Sequence, residues 1–449
     1  MKRVTASLAA ALLIVTAVRI PSARAASGLS PVETEELTMS YSLLTSEYYK
    51  KTDAQTLLDG ARGGIVTYLK KNGVASPNLP IVHAALGGDD PAANAHQLER
   101  EVTLAVSEYG GKVGSRELTY QAISGLLASV HDKYTVFLSP KEYAALNEGL
   151  DGGGFSGVGI VIGLDDKSKQ LKVQEVIDNG PADKAGVKSD DTIVSIDGKP
   201  TAGITTQNAS KELRGKEGSQ VKLQISRGGA NVDPITVTRA VIHEPSVYSK
   251  LLDNGIGYTR LTVFGQSTAT ELTSALTKLE AQGAKAYVLD LRDNGGGYLN
   301  AAIDVSSKFI PTGPIVSVEN RGGQNTSYDA NNTSIVPRPL AVLVNKYTAS
   351  ASEITSGAIQ DEGVGKLIGE RTYGKGVVQT IHPLEDGSAV KITTARYLTP
   401  NGRDINLVGI QPDISTPEPK TSRFGDLAKD PQLQAAVQYL QGRIAAIGT

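Results

Sequence analysis

Apolar residues first recur along this chain at helical intervals. Leu37, Tyr41, Leu44 and Tyr48 fall on one face of a 3.6-residue repeat, as do Leu98, Val102, Ala105 and Tyr109. Such patterning dominates to about Tyr143. Within it, "LLDGARGGIVTYL" (57–69) and "LTYQAISGLLASV" (118–130) resemble each other weakly, which predicts two similar helices and not a solenoid. The texture changes near Asp151. "DGGGFSGVGIVIG" is Gly-rich and then β-like, and "QLKVQEVI", "DTIVSIDGKP" and "SQVKLQISRGG" alternate as half-buried strands do. A compact β-rich module is expected from about 150 to 240. From Val241 onward apolar strands alternate with helical stretches. "KAYVLDLRDNGGG" leads into "YLNAAIDVSSKFI", and "PLAVLVNKYTASASEITSGAIQDEG" repeats strand, turn and helix. That order predicts βα units on a largely parallel sheet, with ligands beyond the carboxyl ends of its strands.

Composition narrows the chemistry. The 449 residues suffice for two or three domains. There is no Cys, which removes thiol nucleophiles, thiolate metal sites and disulfides. The formal charge of −2, without a long basic run, gives no reason to expect a nucleic acid or an anionic membrane as partner. Lys2 and Arg3, the apolar run Leu8–Val18 and the triplet Ala23-Arg24-Ala25 form a signal-peptide pattern. The apolar run is shorter than the roughly 20 residues that span a bilayer. An exported protein of the periplasm or cell envelope is expected, with a cleaved signal; an uncleaved anchor is the alternative.

Five Ser and Thr hydroxyls crowd the stretch 343–358: Thr348, Ser350, Ser352, Thr355 and Ser356. Ser350-Ala351-Ser352-Glu353 matches a capping box, so Ser350 reads first as a helix cap. A Ser on a sharp strand-to-helix turn also projects its oxygen, and the next amide, Ala351 N–H, lies among the unpaired donors of the first helical turn. A nucleophilic Ser needs a base. None of the five histidines (His83, His96, His131, His243, His382) sits in a triad-like motif. Lys375, between Gly374 and Gly376, is the other option, provided that it is desolvated enough to be neutral. In an extended segment Lys375, Val377 and Gln379 share a face. Gly369-x-x-x-x-Gly374-Lys375 comes close to a phosphate-binding P-loop, but Gly376 offers no hydroxyl for Mg²⁺ and a strand-like run follows where a helix is required. Gly152-x-Gly154-x-x-Gly157 precedes a strand, the wrong context for a dinucleotide site.

Taken together, "LVNKYTASASEITSGAIQD", "GERTYGKGVVQ", "VLDLRDNGGG", "LTPNGRDINLVGIQPDI" and "DPQLQAAVQYL", in that family's order, resemble the C-terminal processing peptidases, or tail-specific serine proteases. "GVGIVIG" followed by "VIDNGPADKAGVKSDDTIVSIDGKP" resembles the PDZ domain that these proteases carry. The resemblance implies an α/β multidomain fold: a crotonase-like ββα-spiral protease core, a β-rich PDZ domain and a helical N-terminal region. The implied organisation is a signal peptide (1–25), a helical region (26–145), a PDZ domain (146–240), a serine protease core (241–420) and a helical tail (421–449). It makes Ser350 the nucleophile, Lys375 the general base and Gln379 the residue orienting the lysine. The oxyanion hole would combine Ala351 N–H with a glycine N–H from Gly295–Gly297; Gly296 and Gly297 are the candidates and Gly297 the favoured one. Gly157, Val158, Gly159 and Ile160 would receive a substrate's C-terminal carboxylate, the tail adding a strand to the sheet edge. The implied enzyme uses no metal or cofactor, takes protein substrates with free apolar C-termini, and forms a homodimer, if it does, through its helical ends (29–80 and 425–445). A non-catalytic PDZ adaptor on a protease fold is the alternative. Two departures, "HDKYTVFL" (131–138) in place of an Asp-Pro-containing version and a long helical stretch over 70–117, are expected to touch dimer geometry and gating and not chemistry.

Overall fold

The protein is described here by a computed structural model covering residues 28–85, 90–150, 155–165, 168–177, 180–242, 245–335, 337–418 and 424–447. The expected signal peptide lies outside the described residues. No described helix is long and apolar enough to cross a membrane. The chain forms two compact units, one reaching Thr45 and resuming over Thr52–Lys133, the other joining Ser46–Lys51 to the chain from Tyr134 onward.

The first unit is built on four helices: α1 (Pro31–Glu47), α2 (Ala54–Lys71), α3 (Pro91–Val113) and α4 (Ser115–Ala128). The periodic residues Leu37, Tyr41, Leu44, Leu98, Val102, Ala105 and Tyr109 are all buried. Asp53 caps α2 by accepting from Thr56 N at 2.9 Å, and Asp90, followed by Pro91, caps α3. The stretch 70–117 is therefore not one long helix: α2 stops at Lys71 and α3 starts at Pro91. The two look-alike segments are α2 and α4, and they meet backbone to backbone. A Cβ on Gly125 would come within 2.2 Å of Gly60 O, and one on Gly64 within 2.2 Å of Gln121 O. Glycine is what lets these helices touch.

Glu101 on α3 is 2% exposed, and neither carboxylate oxygen has a hydrogen-bond partner among the described residues. Burial pushes its pKa up to about 7, with Arg62 pulling it partly back. The unfolded chain holds this proton only up to about pH 4.3. The stabilisation is complete below that value and is lost as pH rises through 7. Thermal unfolding of the protein between pH 5 and 8 is expected to show this loss, and Glu101→Gln to flatten it and raise stability at pH 8. A pH dependence unchanged by E101Q would contradict the assignment.

The second unit contains three main sheets. The β-rich module carries strands Ile160–Leu164, Leu171–Val176, Thr192–Ile196, Lys199–Pro200, Gln220–Arg227, Ala230–Asn231 and Ile235–Thr238 around a core that includes Val173, Ile193, Leu223 and Val237. Its entry strand, Phe155–Gly157, pairs antiparallel with its exit strand, Ala240–Ile242, and so closes the module. Ile160–Leu164 is an edge strand.

The mixed α/β core follows the expected pattern. Ile256–Leu261, Ala286–Asp290, Leu340–Val344, Lys366–Gly369 and Ile414–Ser415 run parallel, and Val247–Leu251 adds an antiparallel edge. Along Ala286–Asp290 the side chains alternate between two apolar layers. Tyr287 and Leu289 face helices Thr268–Ala281, Leu299–Ser306 and Ala351–Asp361; Ala286 and Val288 face Leu433, Ala436 and Leu440 of the C-terminal helix Pro431–Ile447. That last helix is thus a layer of the core and not a tail. A third, antiparallel sheet assembles Val136–Leu138, Val377–Pro383, Ala389–Leu398, Pro314–Asn320 and Asn325–Asp329.

Candidate active site

Two neighbouring parallel strands end in loops that meet. Ala286–Asp290 runs into the glycine loop 291–298, and Leu340–Val344 into the hydroxyl-rich turn 345–350. The crowd of hydroxyls is mostly structural: two fasten these loops together, one ties helix Ala351–Asp361 to helix Leu299–Ser306, and one bonds back along its own helix. Thr348 Oγ1 donates to Leu291 O at 2.9 Å, Ser352 Oγ to Asn294 O at 3.0 Å, Ser306 Oγ to Thr355 Oγ1 at 3.0 Å and Ser356 Oγ to Ser352 O at 2.7 Å. All four residues are fully buried. Ser350 differs: it is half-buried and lines a cleft of about 410 Å³.

The backbone of Ser350 lies at φ 56°, in the left-handed region. A non-glycine residue pays about 1–3 kcal/mol for this, so its surroundings must hold it there. One holder is Glu353 in the first turn of the helix. Its Oε2 accepts from Ser350 N at 2.9 Å, the returning half of the capping box. The same oxygen accepts from Lys375 N at 2.9 Å, while Oε1 accepts from Gly374 N at 2.7 Å and from Thr372 Oγ1. The main chains of Ser350 and Lys375 therefore meet at one oxygen atom. Burial pushes the Glu353 pKa up, and these four donors pull it back.

Lys375 lies one residue before strand Val377–Pro383, and the cleft is lined by Lys375, Val377, Val378, Gln379 and Ile381. Lys375, Val377 and Gln379, expected on one face of an extended segment, all reach the cleft, and Val378 reaches it as well. The pairing with Ala389–Leu398 shifts by one between Val378↔Ala395 and Gln379↔Thr393, a bulge that leaves Val378 and Gln379 both at the cleft. Gln379 Nε2 is buried there without a partner among the described residues. Nζ of Lys375 lies over the ring of Tyr134, 4.8 Å from its centroid. Tyr134 belongs to "HDKYTVFL", whose strand Val136–Leu138 pairs with Ala389–Lys391. Tyr134, in the part of the segment that keeps the family pattern, thus sits beside the lysine, while the departure lies in the residues before it, His131-Asp132-Lys133.

The glycine loop closes the other wall. A Cβ on Gly296 would come within 2.8 Å of Ser350 Cβ and Ala351 N, and one on Gly297 within 2.2 Å of Phe264 O. No side chain fits at either position. Gly296 N–H donates to Asn294 Oδ1 at 2.9 Å. Gly297 N–H and Ala351 N–H have no hydrogen bond among the described residues, although their neighbours Tyr298, Ser352 and Glu353 do. Asn294 was not singled out by sequence reasoning. Its amide also donates to Leu261 O, and its carbonyl accepts from Ala349 N and Ser352 Oγ, so that it brackets both loops. Beneath them, fully buried Arg292 is held by Asp290 and by Asp430 from the C-terminal segment, at 2.6 and 2.7 Å. Burial alone would lower its pKa; the two carboxylates outweigh that and keep it charged.

Gly157–Ile160 is not part of this cleft. Val158 O accepts from Ala182 N at 2.8 Å, Gly159 O from Ile177 N at 3.1 Å, and Gly159 has φ 76°. No described histidine lines the cleft; His96 pairs with Glu99 and His382 with Glu47.

Comparison with known proteins agrees with this geometry. The sequence profile of peptidase family S41 matches residues 255–416, and a PDZ-domain profile matches 172–227. The carboxyl-terminal-processing protease of Synechocystis is 39% identical over 338 residues, 74% of this chain and 79% of that protein. The carboxy-terminal processing protease CtpA of Bacillus subtilis is 37% identical over 75% of this chain and 70% of its own. Among solved structures, a photosystem II D1 C-terminal processing protease aligns at 30% identity with a TM-score of 0.47, covering 87% of this chain and 94% of its own.

Proposed function

Because the chain belongs to peptidase family S41 and is a C-terminal processing serine protease acting on protein substrates, we propose that Ser350 is its nucleophile and Lys375 its general base. One observation carries the reading: Ser350, Ala351, Gly297, Lys375 and Gln379 converge on a single cleft, although they come from three separate segments. Neutral Lys375 Nζ takes the proton of Ser350 Oγ as the oxygen attacks the scissile carbonyl. The oxyanion is held by Ala351 N–H and Gly297 N–H. Gly296 serves as the residue of closest approach and not as a donor, since its N–H is occupied by Asn294. Lys375 passes its proton to the leaving amine as the C–N bond breaks; a water then attacks the acyl ester, giving a proton to Lys375, and the ester C–O bond breaks as Lys375 returns that proton to Ser350 Oγ, leaving the new carboxyl end and a neutral lysine. Gln379 orients Lys375 through its Oε1, leaving Nε2 for the substrate main chain.

In the PDZ domain, Gly157–Ile160 receives the carboxylate of a substrate tail, and the tail pairs with the edge strand Ile160–Leu164, whose Val161 and Leu164 are 44% and 39% exposed. Apolar tails are therefore preferred. The protein is exported through its N-terminal signal. A homodimer would use the outer side of the C-terminal helix, since its apolar face lies in the core.

The test is turnover of an unstructured protein ending in Ala-Ala-Leu-Val-Ala beside the same protein ending in Asp-Asp-Glu-Asp-Asp. The apolar tail is expected to be cleaved at least about tenfold faster at low substrate, a 1.4 kcal/mol preference. Ser350→Ala is expected to cleave neither. Equal rates for both tails would remove the tail reading; turnover by S350A would remove the nucleophile.

A further inference from the structure

Tyr397 touches both Ser350 and Lys375 without taking part in the proton transfer between them. Tyr397, 1% exposed, lies in strand Ala389–Leu398 and lines the cleft. Its hydroxyl is 2.7 Å from Lys375 O and 3.1 Å from Ser350 O. Its own N–H donates to Gly376 O at 3.0 Å. One residue thus holds two consecutive carbonyls of the lysine segment and reaches the carbonyl of the nucleophile. Glu353 does the complementary thing with the amide N–H groups of the same two residues. Ser350 O also accepts from Glu353 N and Ile354 N.

We infer that Tyr397 is a positioning residue that fixes the Lys375 main chain against Ser350: its single O–H is donated to Lys375 O, with Ser350 O within three-centre reach of the same proton. This rests on the Ser350–Lys375 reading. The hydroxyl is suited to a permanent role: burial first, and Glu353 second, raise its pKa well above that of a free tyrosine, so it stays a neutral donor at working pH. Without it, Lys375 O loses its 2.7 Å bond while the N–H bond to Glu353 remains, so the peptide can tilt about that anchor and the ammonium can move toward water. A catalytic group displaced by about 1 Å costs on the order of 10²-fold in rate. Better hydration also favours the charged lysine, so more alkali is needed to make it a base. The other groups around Lys375 are Tyr134 at its Nζ, Lys391 on the cleft wall, Glu353 at its N–H, and Asp404, which acts on Tyr397.

The experiment compares wild type, Tyr397→Phe, Ser350→Ala and a control core variant, Ile392→Val, in the full-length protein. Thermal unfolding first fixes a temperature at which all four are folded. Peptide kcat and KM are then measured from pH 6 to 10. For Y397F, kcat at pH 7 is expected to fall about 10–100-fold with KM within threefold, and the acid limb of kcat/KM to move to higher pH, so that the deficit shrinks toward pH 10. I392V is expected to lower the unfolding temperature and leave the limb in place. A Y397F profile that superimposes on wild type, or a loss carried wholly by KM or uniform across pH, would overturn the positioning role while leaving the dyad intact. Activity retained by S350A would instead sink the underlying reading.

Discussion

Lys375→Ala is expected to lower kcat/KM by about 10⁴-fold, near the upper range for removing a general base. Ser350→Ala is expected to cost at least as much. The double variant should be no worse than the more impaired single one, because a nucleophile and its base act as a unit and their losses do not add. Lys375→Arg is the sharper control. It keeps the positive charge and the contact with the Tyr134 ring, yet a guanidinium cannot be deprotonated in a protein. If Lys375 merely supplied charge to the cleft, Arg would restore much of the activity; as a base it must be lost to the same extent as with Ala. Kinetics with a tail-bearing peptide, together with a serine-directed fluorophosphonate read by mass spectrometry, check both halves. The probe should modify wild type at Ser350, modify K375A and K375R far more slowly, and leave S350A untouched. Rapid labelling of K375R would remove the lysine from the proton transfer.

Glu353→Gln carries the second large effect. The side chain keeps its size and place, but one of its two acceptor atoms becomes a donor. In the protein both oxygens are needed, since each faces two donors. Whichever way the amide turns, two buried donors lose their partner, at about 1–3 kcal/mol each. Part of that loss appears as a lower unfolding temperature. The rest falls on the geometry of Ser350, whose left-handed backbone depends on this bond, and of Lys375, which shares the same oxygen. A kcat reduced about 10²-fold with KM nearly unchanged is the expected result, read in parallel with thermal unfolding. A Gln variant with wild-type kcat would show that Glu353 only caps its helix.

How much of this was legible beforehand differs from residue to residue. Leu37, Tyr41 and Leu44, or Leu98, Val102 and Ala105, could be assigned to buried helix faces because a repeat of 3.6 is written locally. The parallel core followed from strands alternating with helices, and the multidomain α/β fold with a PDZ domain stands as read. Other features carried almost no local signal. The register shift opposite Gln379 is set by the partner strand, which carries the extra residue Thr394, and not by the sequence around the lysine. Tyr134 looked remote from the chemistry only because it is remote in the chain.

By itself the sequence determined the elements, their order and the residue types able to act: a Ser at a strand-to-helix junction, a Lys between glycines, a run of three glycines after a buried strand. Those are short-range properties, fixed by backbone sterics and side-chain periodicity. Only the tertiary structure decided which donors are spent and which stay free. Glu353 reaches Lys375 across 22 positions, Tyr397 reaches Ser350 across 47, and Asp430 reaches Arg292 across 138. Hydrogen-bond occupancy and burial are properties of what folding brings together, so Gly296 and Gly297, adjacent and identical in the sequence, end with one amide bound to Asn294 and the other open to the cleft.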